Sequence, residues 1–212
     1  MDHLSVVAQG VSMTLALTLS SLLVGAIGGI PLALARRSRL AAVRFIARSF
    51  IELLRGIPPL AWLFIIYFGV GTGVIELSSF AAAVIGFGLV SSAYMAEIYR
   101  GGLTAIHDGQ WEASDALGLS RAATLLSVIG PQVLRVSIPA AATFAIGLLK
   151  DSSVASVIGV QDTIYWASHE STVSGDAIVP FLWAAGLYVA MTIPCAWATR
   201  LLDAKLRKRV AR

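Results

Sequence analysis

The chain has 212 residues, 57% hydrophobic and 13% charged, with a formal net charge of +4. A water-soluble domain is about 45–50% apolar and about 25% charged, so a chain this short with a mean hydropathy of +0.80 cannot hide its apolar surface and belongs in lipid. The positive charge does not mark a nucleic-acid binder, because the stretches 36–55, 100–135 and 200–212 hold all the Lys and Arg residues except Lys150, which is a topological pattern.

Met1–Gly10 has no basic segment and no cleavage site before the first apolar run, so no removable signal peptide is expected. A bilayer-crossing helix needs roughly 20 mostly apolar residues. Val11–Ala35 supplies the first, with only threonine and serine as polar interruptions. Its Gly25-x-x-x-Gly29 pair permits close approach of a neighbouring helix without saying which. Arg36–Arg55 follows with six arginines. At roughly 2.5–3.5 kcal/mol for each arginine at a helix centre, this is not a span; Ala41–Leu54 has helical apolar spacing and reads as an interfacial amphipathic helix. Ile57–Leu77 and Phe80–Tyr99 are the second and third spans, antiparallel across a short turn around Glu76–Ser79.

Arg100–Arg135 is a polar loop with helices of its own. Asp108 is suited to an N-cap, and Glu112 and Asp115 suit the N-terminal half of a helix. Gly118 suits the left-handed position after it, and Ser120 caps a second helix, Arg121–Ile129, stopped before Pro131. Ala113, Ala116 and Leu117 give the first helix a small apolar face, which can enter a groove on a soluble partner or lie at the membrane surface. Val136–Leu149 begins the fourth span, short unless it continues through Lys150 and Asp151 into Ser152–Val160. Asp162–Asp176 is acidic and loop-like, and Ile178–Leu201 is the fifth span. Cys195, the single cysteine, reads as a buried small hydrophobe. Asp203–Arg212 is a basic tail suited to anchoring against anionic headgroups.

The expectation is an all-α integral membrane protein, one domain over 1–212, with about five spans. The basic stretches share one side, and Asp2, Glu76, Asp162, Glu170 and Asp176 fall on the other. The positive-inside rule therefore puts the N-terminus outside and the C-terminus in the cytoplasm. A phosphate-binding GxxxxGK[ST] loop needs a lysine after glycine, a context that Lys150, Lys205 and Lys208 all lack. His3, His107 and His169 lie outside the spans, and no Cys/His metal spacing occurs. Neither catalysis nor a bound cofactor or metal is expected in this polypeptide. A self-contained secondary carrier or channel, the rival class, predicts inverted repeats or paired broken helices, and the sequence displays none.

Glu112-Ala113-Ser114-x-x-x-Gly118, followed by Val128-x-Gly130-Pro131, resembles the EAA loop of the permease subunits of ATP-binding-cassette importers. That family's usual form is E-A-A-x3-G-x9-I-x-L-P, from which Ser114, Val128 and Gly130 depart. The likeness extends over most of Val11–Leu202. Arg55-Gly56-Ile57-Pro58, Ala96-Glu97-Ile98-Tyr99-Arg100-Gly101-Gly102, Gly109-Gln110, Pro131-Gln132, Pro139 and Leu149–Val160 are similar to the polar amino-acid permeases of the histidine, glutamine and opine group. Trp62 stands where that group commonly has Gln.

The resemblance implies a type I importer permease fold in a prokaryotic cytoplasmic membrane, carrying a polar amino acid or a similar solute such as an opine or an ectoine-like osmolyte. It implies three partners: a cytoplasmic ATPase pair that binds ATP and Mg, an extracytoplasmic solute-binding protein, and a second permease copy or paralogue. Gly109, Gln110, Glu112, Ala113, Ser114, Ala116, Leu117 and Gly118 would form the ATPase-coupling elbow, rocking the helices between inward- and outward-facing states.

Each solute-path candidate also has a purely structural account. Glu97 is an ionisable group in a span, expected to face the interior or a path, or else to pair with Arg100 at i+3. Ser91, Ser92 and Tyr94 offer hydrogen bonds at mid-depth, or the serines bond their own helix. Arg55 and its prolines open the second span. Lys150 and Asp151, with Ser152 and Ser153, form a gate or solute contact at the outer end of the fourth span, or a neutralised pair.

Overall fold

The computed structural model describes residues 3–70 and 76–210, with side chains described as far as Leu201. Every regular element among the described residues is helical. Helix α1 (His3–Val7) passes through a 3-10 turn into α2 (Val11–Ala35), one apolar rod of 33 residues. The expected first span has the limits of α2, but the continuous apolar rod starts earlier, at His3.

Helices α3 (Ala41–Gly56) and α4 (Pro59–Phe64), the latter extended by a π-helical turn at Ile65–Val70, meet at a bend of 99°. The prolines dictate the break: Ile57, held by Pro58 out of the helical region, has φ −95° and ψ 131°. Trp62 braces it by donating Nε1–H to the Leu54 carbonyl at 3.2 Å. The expected span Ile57–Leu77 is thus corrected in its start and shape. Its helix begins at Pro59, its described part ends at Val70, and residues 71–75 lie outside the described ones. Nor is α3 merely interfacial. Ile51 and Leu54 are buried against Ala93 and Ala96, while Phe45, Ile46 and Leu53 stay exposed.

Helix α5 (Ser79–Thr104) is central and runs past the expected end at Tyr99. The Ser78 hydroxyl caps it, accepting from the Ala81 amide at 3.2 Å. Small residues weld it to α2. A Cβ at Gly25 would collide with the Ser91 side chain, one at Gly29 would stand 2.7 Å from the Met95 Cβ, and one at Gly88 would stand 2.6 Å from a Val24 methyl. The Gly25/Gly29 pair therefore faces α5, as backbone proximity in lipid requires.

After α6 (Asp108–Ala116), helix α7 (Arg121–Ala123) continues through a π-helical turn at Thr124–Ile129 into α8 (Gly130–Asp151) and a 3-10 turn at Ser152–Ile158. Together these form a single apolar rod of 38 residues. The expected stop before Pro131 does not occur. The Gly130 amide bonds the Leu125 carbonyl in the wider π register, and the Gln132 side chain donates to the Val128 carbonyl at 2.9 Å. Near a proline that supplies no N–H, these bonds keep the ladder occupied.

The expected loop at Asp162–Asp176 is instead a helix, α9 (Thr163–Ser174), capped by Asp162, whose Oδ1 accepts from the Tyr165 amide at 2.8 Å. Its Ala167 packs with Val7 and Ala184, and Glu170 pairs with His3 at 2.9 Å. Helix α10 (Val179–Val210) ends the described chain; the side chains of the basic tail lie outside the described residues. By length and composition four helices can cross a membrane, or up to five if the bent α3–α4 pair is one span. Cys195, expected to be buried, is exposed on α10.

Candidate functional site

The elbow between α5 and α7 is built by local signals. His107, not the expected Asp108, is the N-cap; its Nδ1 accepts from the Gly109 amide at 3.0 Å. Gly118 closes the helix at φ +68°, where the Gly118 amide reaches Asp115 O at 3.0 Å and the Leu119 amide reaches Ser114 O at 3.1 Å. That bond pair is a Schellman closure, and it requires a left-handed residue. Ser120 caps α7 through the Ala123 amide at 3.2 Å. Ser114 is buried and bonds the Gln110 carbonyl at 2.8 Å. Glu112, Ala113, Ala116 and Leu117 are all exposed, Leu117 at 78%, so the small apolar face has no partner among the described residues.

Two pins fasten α6 to the spans. Trp111 packs on the cluster of Leu103, Ile106, Ile129 and Val133, and the Arg37 guanidinium sits 5.3 Å above its ring. Gln132 of α8 donates to the Gln110 side-chain oxygen at 3.1 Å. The exposed face is thereby tied to the ends of α2 and α8.

A cleft of about 200 Å³ brings together residues from four elements: Arg55 of α3, Pro59 of α4, Phe87 and Tyr94 of α5, and Phe144 and Asp151 of α8. Tyr94 and Phe144 stack at 5.0 Å between centroids, and the Arg55 guanidinium lies 4.9 Å above the Tyr94 ring. The cleft lies level with the middle of α5. Lys150 and Asp151 are therefore not at the outer end of their span, since the rod continues to Ile158. Among the described residues the ion pairs are His3–Glu170, Arg36–Glu97 and Arg100–Glu97, so Arg55 and Asp151 face the cleft without an ion-pair contact. Phe144 carried no signal in the sequence beyond its place in an apolar run.

The other candidates lie elsewhere. Glu97 binds Arg100 Nε at 2.8 Å and approaches Arg36 at 3.4 Å, pinning the end of α2 to α5. Arg36 was not singled out in the sequence; only its place one residue past a span end marks it. Ser92 bonds the Gly88 carbonyl at 2.8 Å, and Ser91 is buried beneath Gly25, so both line the α2–α5 seam. Ser152 bonds the Leu149 carbonyl at 2.8 Å, and Ser153 is half-buried; neither lines the cleft. At the opposite end from the elbow, burial pushes the Asp162 carboxyl up to about 7, against the lowering effect of the Tyr165 and Ile164 amides.

The family described as binding-protein-dependent transport system inner membrane component matches residues 21–208, and the chain belongs to that family. That family consists of membrane-embedded transport subunits rather than of known enzymes. The chain is 37% identical over 202 residues to the probable amino-acid ABC transporter permease protein YckA of Bacillus subtilis, covering 94% of this chain and 88% of that one. To the arginine ABC transporter permease protein ArtQ of Haemophilus influenzae it is 34% identical over 220 residues, covering 98% and 96%. Its fold superposes on a crystal structure of an amino acid ABC transporter with histidines at a TM-score of 0.85, with 33% identity and coverage of 96% and 94%.

Proposed function

We propose that this chain is the translocation subunit of an ATP-driven importer for an amino acid or an amino-acid-like zwitterion, in a prokaryotic cytoplasmic membrane. The observation that carries the solute class is the cleft with an unpaired cation, Arg55, and an unpaired anion, Asp151, on its walls. A zwitterion supplies the complement of both: its carboxylate meets the guanidinium as a charge-assisted fork, and its ammonium meets the carboxylate. The stacked Tyr94–Phe144 pair forms an apolar wall for a side chain. Trp62 contributes no polar group here, because its N–H is already spent on Leu54.

The chain's arginine asymmetry supports placing the elbow end and the C-terminus in the cytoplasm. There the exposed Glu112–Gly118 face would dock on an ATPase pair, which would hold ATP and Mg. A second copy or a paralogue would complete the pathway, and an external binding protein would deliver solute. Trp111 and Gln110 would pass the ATPase stroke to the spans.

The test is uptake and ATP hydrolysis by the complete transporter in proteoliposomes. Glu112→Lys should keep hydrolysis while uptake collapses. Arg55→Gln or Asp151→Asn should lower uptake about tenfold to a hundredfold, equivalent to one charge-assisted hydrogen bond of about 1.5–3 kcal/mol, without altering assembly. Wild-type pumping by Glu112→Lys would refute the elbow's role. Unchanged uptake in both cleft variants would refute the solute site.

A further inference from the structure

The basic end of the molecule carries a second cavity that neither the exposed docking face nor the solute cleft uses. This chamber, about 400 Å³, lies where the ends of α2 and α5 meet α6 and α7, and Arg37, Arg121, Trp111, Asp115 and Thr124 stand on its walls. Thr124 is 3% exposed and its hydroxyl has no hydrogen-bond partner. Neither Arg37 nor Arg121 takes part in the ion pairs among the described residues. Two guanidinium groups, one unbonded buried hydroxyl and a single opposing carboxylate leave the chamber with a net preference for an anion.

Leu34, Leu103 and Leu125 belong both to the chamber and to an adjoining groove of about 270 Å³, which runs between α2 and α8 past Ile30, Leu126 and Leu134. The groove is apolar, and much of its lining is open: Ile30 is 47% exposed, Leu126 75% and Leu134 52%. A small free anion would fill only the first cavity, and a hydrocarbon chain only the second.

We propose that the chamber and the adjoining groove together bind one anionic phospholipid from the leaflet at the basic end. Arg37 and Arg121 hold its phosphate, the Thr124 hydroxyl donates to it, and one acyl chain lies in the leucine groove. Arginine is suited to this because its planar fork matches phosphate oxygens, and basic pockets between spans are recurrent headgroup sites. Trp111 is the chamber's aromatic wall and also the pin of α6, so the lipid would sit against the hinge of the elbow. The inference needs only that the chain spans a bilayer with this end at an interface, and it stands apart from the identity of the solute.

The test is native mass spectrometry of the purified transporter with phosphatidylglycerol or phosphatidylcholine of identical acyl chains. At about fivefold in affinity per arginine near the surface, offset by one carboxylate, the first phosphatidylglycerol should bind about fivefold to tenfold more tightly than phosphatidylcholine. Arg37→Gln with Arg121→Gln should remove the preference. Arg48→Gln, an exposed arginine on α3, should preserve it. Leu126→Gln should weaken both lipids alike. Equal binding of the two lipids by the unaltered protein would overturn the proposal whatever the variants do. So would an equal loss in Arg48→Gln, or displacement of the lipid by a millimolar excess of inorganic phosphate, which would mark a free-anion pocket.

Discussion

The most apolar 18-residue stretches of α5 and α10 have the same mean hydropathy, 1.6, yet 61% of the first stretch is buried within the chain and 11% of the second. In water such a difference would be written in apolar periodicity. In lipid it is not, because hydrocarbon tails are as apolar as leucine and give helices no hydrophobic reason to associate. The two helices differ in side-chain size at the contact. Where α5 meets α2, Ser91 faces Gly25, Ser92 faces Gly28, Met95 faces Gly29 and Gly88 faces Val24, so a small residue stands on at least one side of each contact, whereas α10 turns Leu182, Trp183, Val189, Ile193 and Trp197 outward. The α2–α5 pair forms the frame. Helix α10 leaves an apolar groove of about 480 Å³ against α2 and α8, lined by Leu19, Ile138, Ala142 and Cys195 among others.

The largest effect that can break this contrast is at the weld. Gly25→Leu puts a branched side chain where even a Cβ meets Ser91, and backbone cannot yield cheaply there. The expected cost is about 3 kcal/mol or more, the upper end of overpacking, seen as loss of monodisperse protein on size exclusion. A folded, fully active Gly25→Leu would show that the seam is not a weld.

Glu97→Gln is the next in size. It leaves Arg36, already short of one partner, facing a neutral group. With Glu97 19% exposed, the expected loss lies between the surface and buried limits, about 1–3 kcal/mol, read as a lowered thermal midpoint in detergent.

Asp162 tests the attachment of α9 and α10 at the other end. Its folded pKa is about 7 against an ordinary 3.8, so between those values the folded state holds a proton that the unfolded state has released. Stability should therefore fall as pH rises from about 3.8 to about 7 and level off above that. Asp162→Asn keeps a capping side chain and should flatten that part of the profile; an unchanged slope would mean that another group is responsible. The smallest effect is expected at Gly186→Ala on α10, where an added Cβ meets nothing within 4 Å. The midpoint should move by no more than about 0.5 kcal/mol equivalent. A large loss there would mean that a partner covers α10.

Read alone, the sequence indicated the lipid environment, the C-terminal end of the first span, and the elbow with its Gly118 turn and Ser120 cap. Each of these depends on partners only a few residues apart or on composition summed along one rod. It missed the details that local signals share between alternatives. His107 took the cap expected of Asp108, α9 grew from an acidic stretch once Asp162 capped it, and the Arg121 helix ran through Pro131 on a π-helical turn. Only the tertiary structure decided which helix the Gly25/Gly29 pair meets, that α3 and α4 bend by 99°, that Glu97 reaches back to Arg36, and that Arg55, Tyr94, Phe144 and Asp151 share one cleft. Those residues lie on separate elements far apart in the chain. In a bilayer, hydropathy marks where a helix crosses but carries no record of which neighbour it touches; that is settled by shape and by the few charges that must find one another.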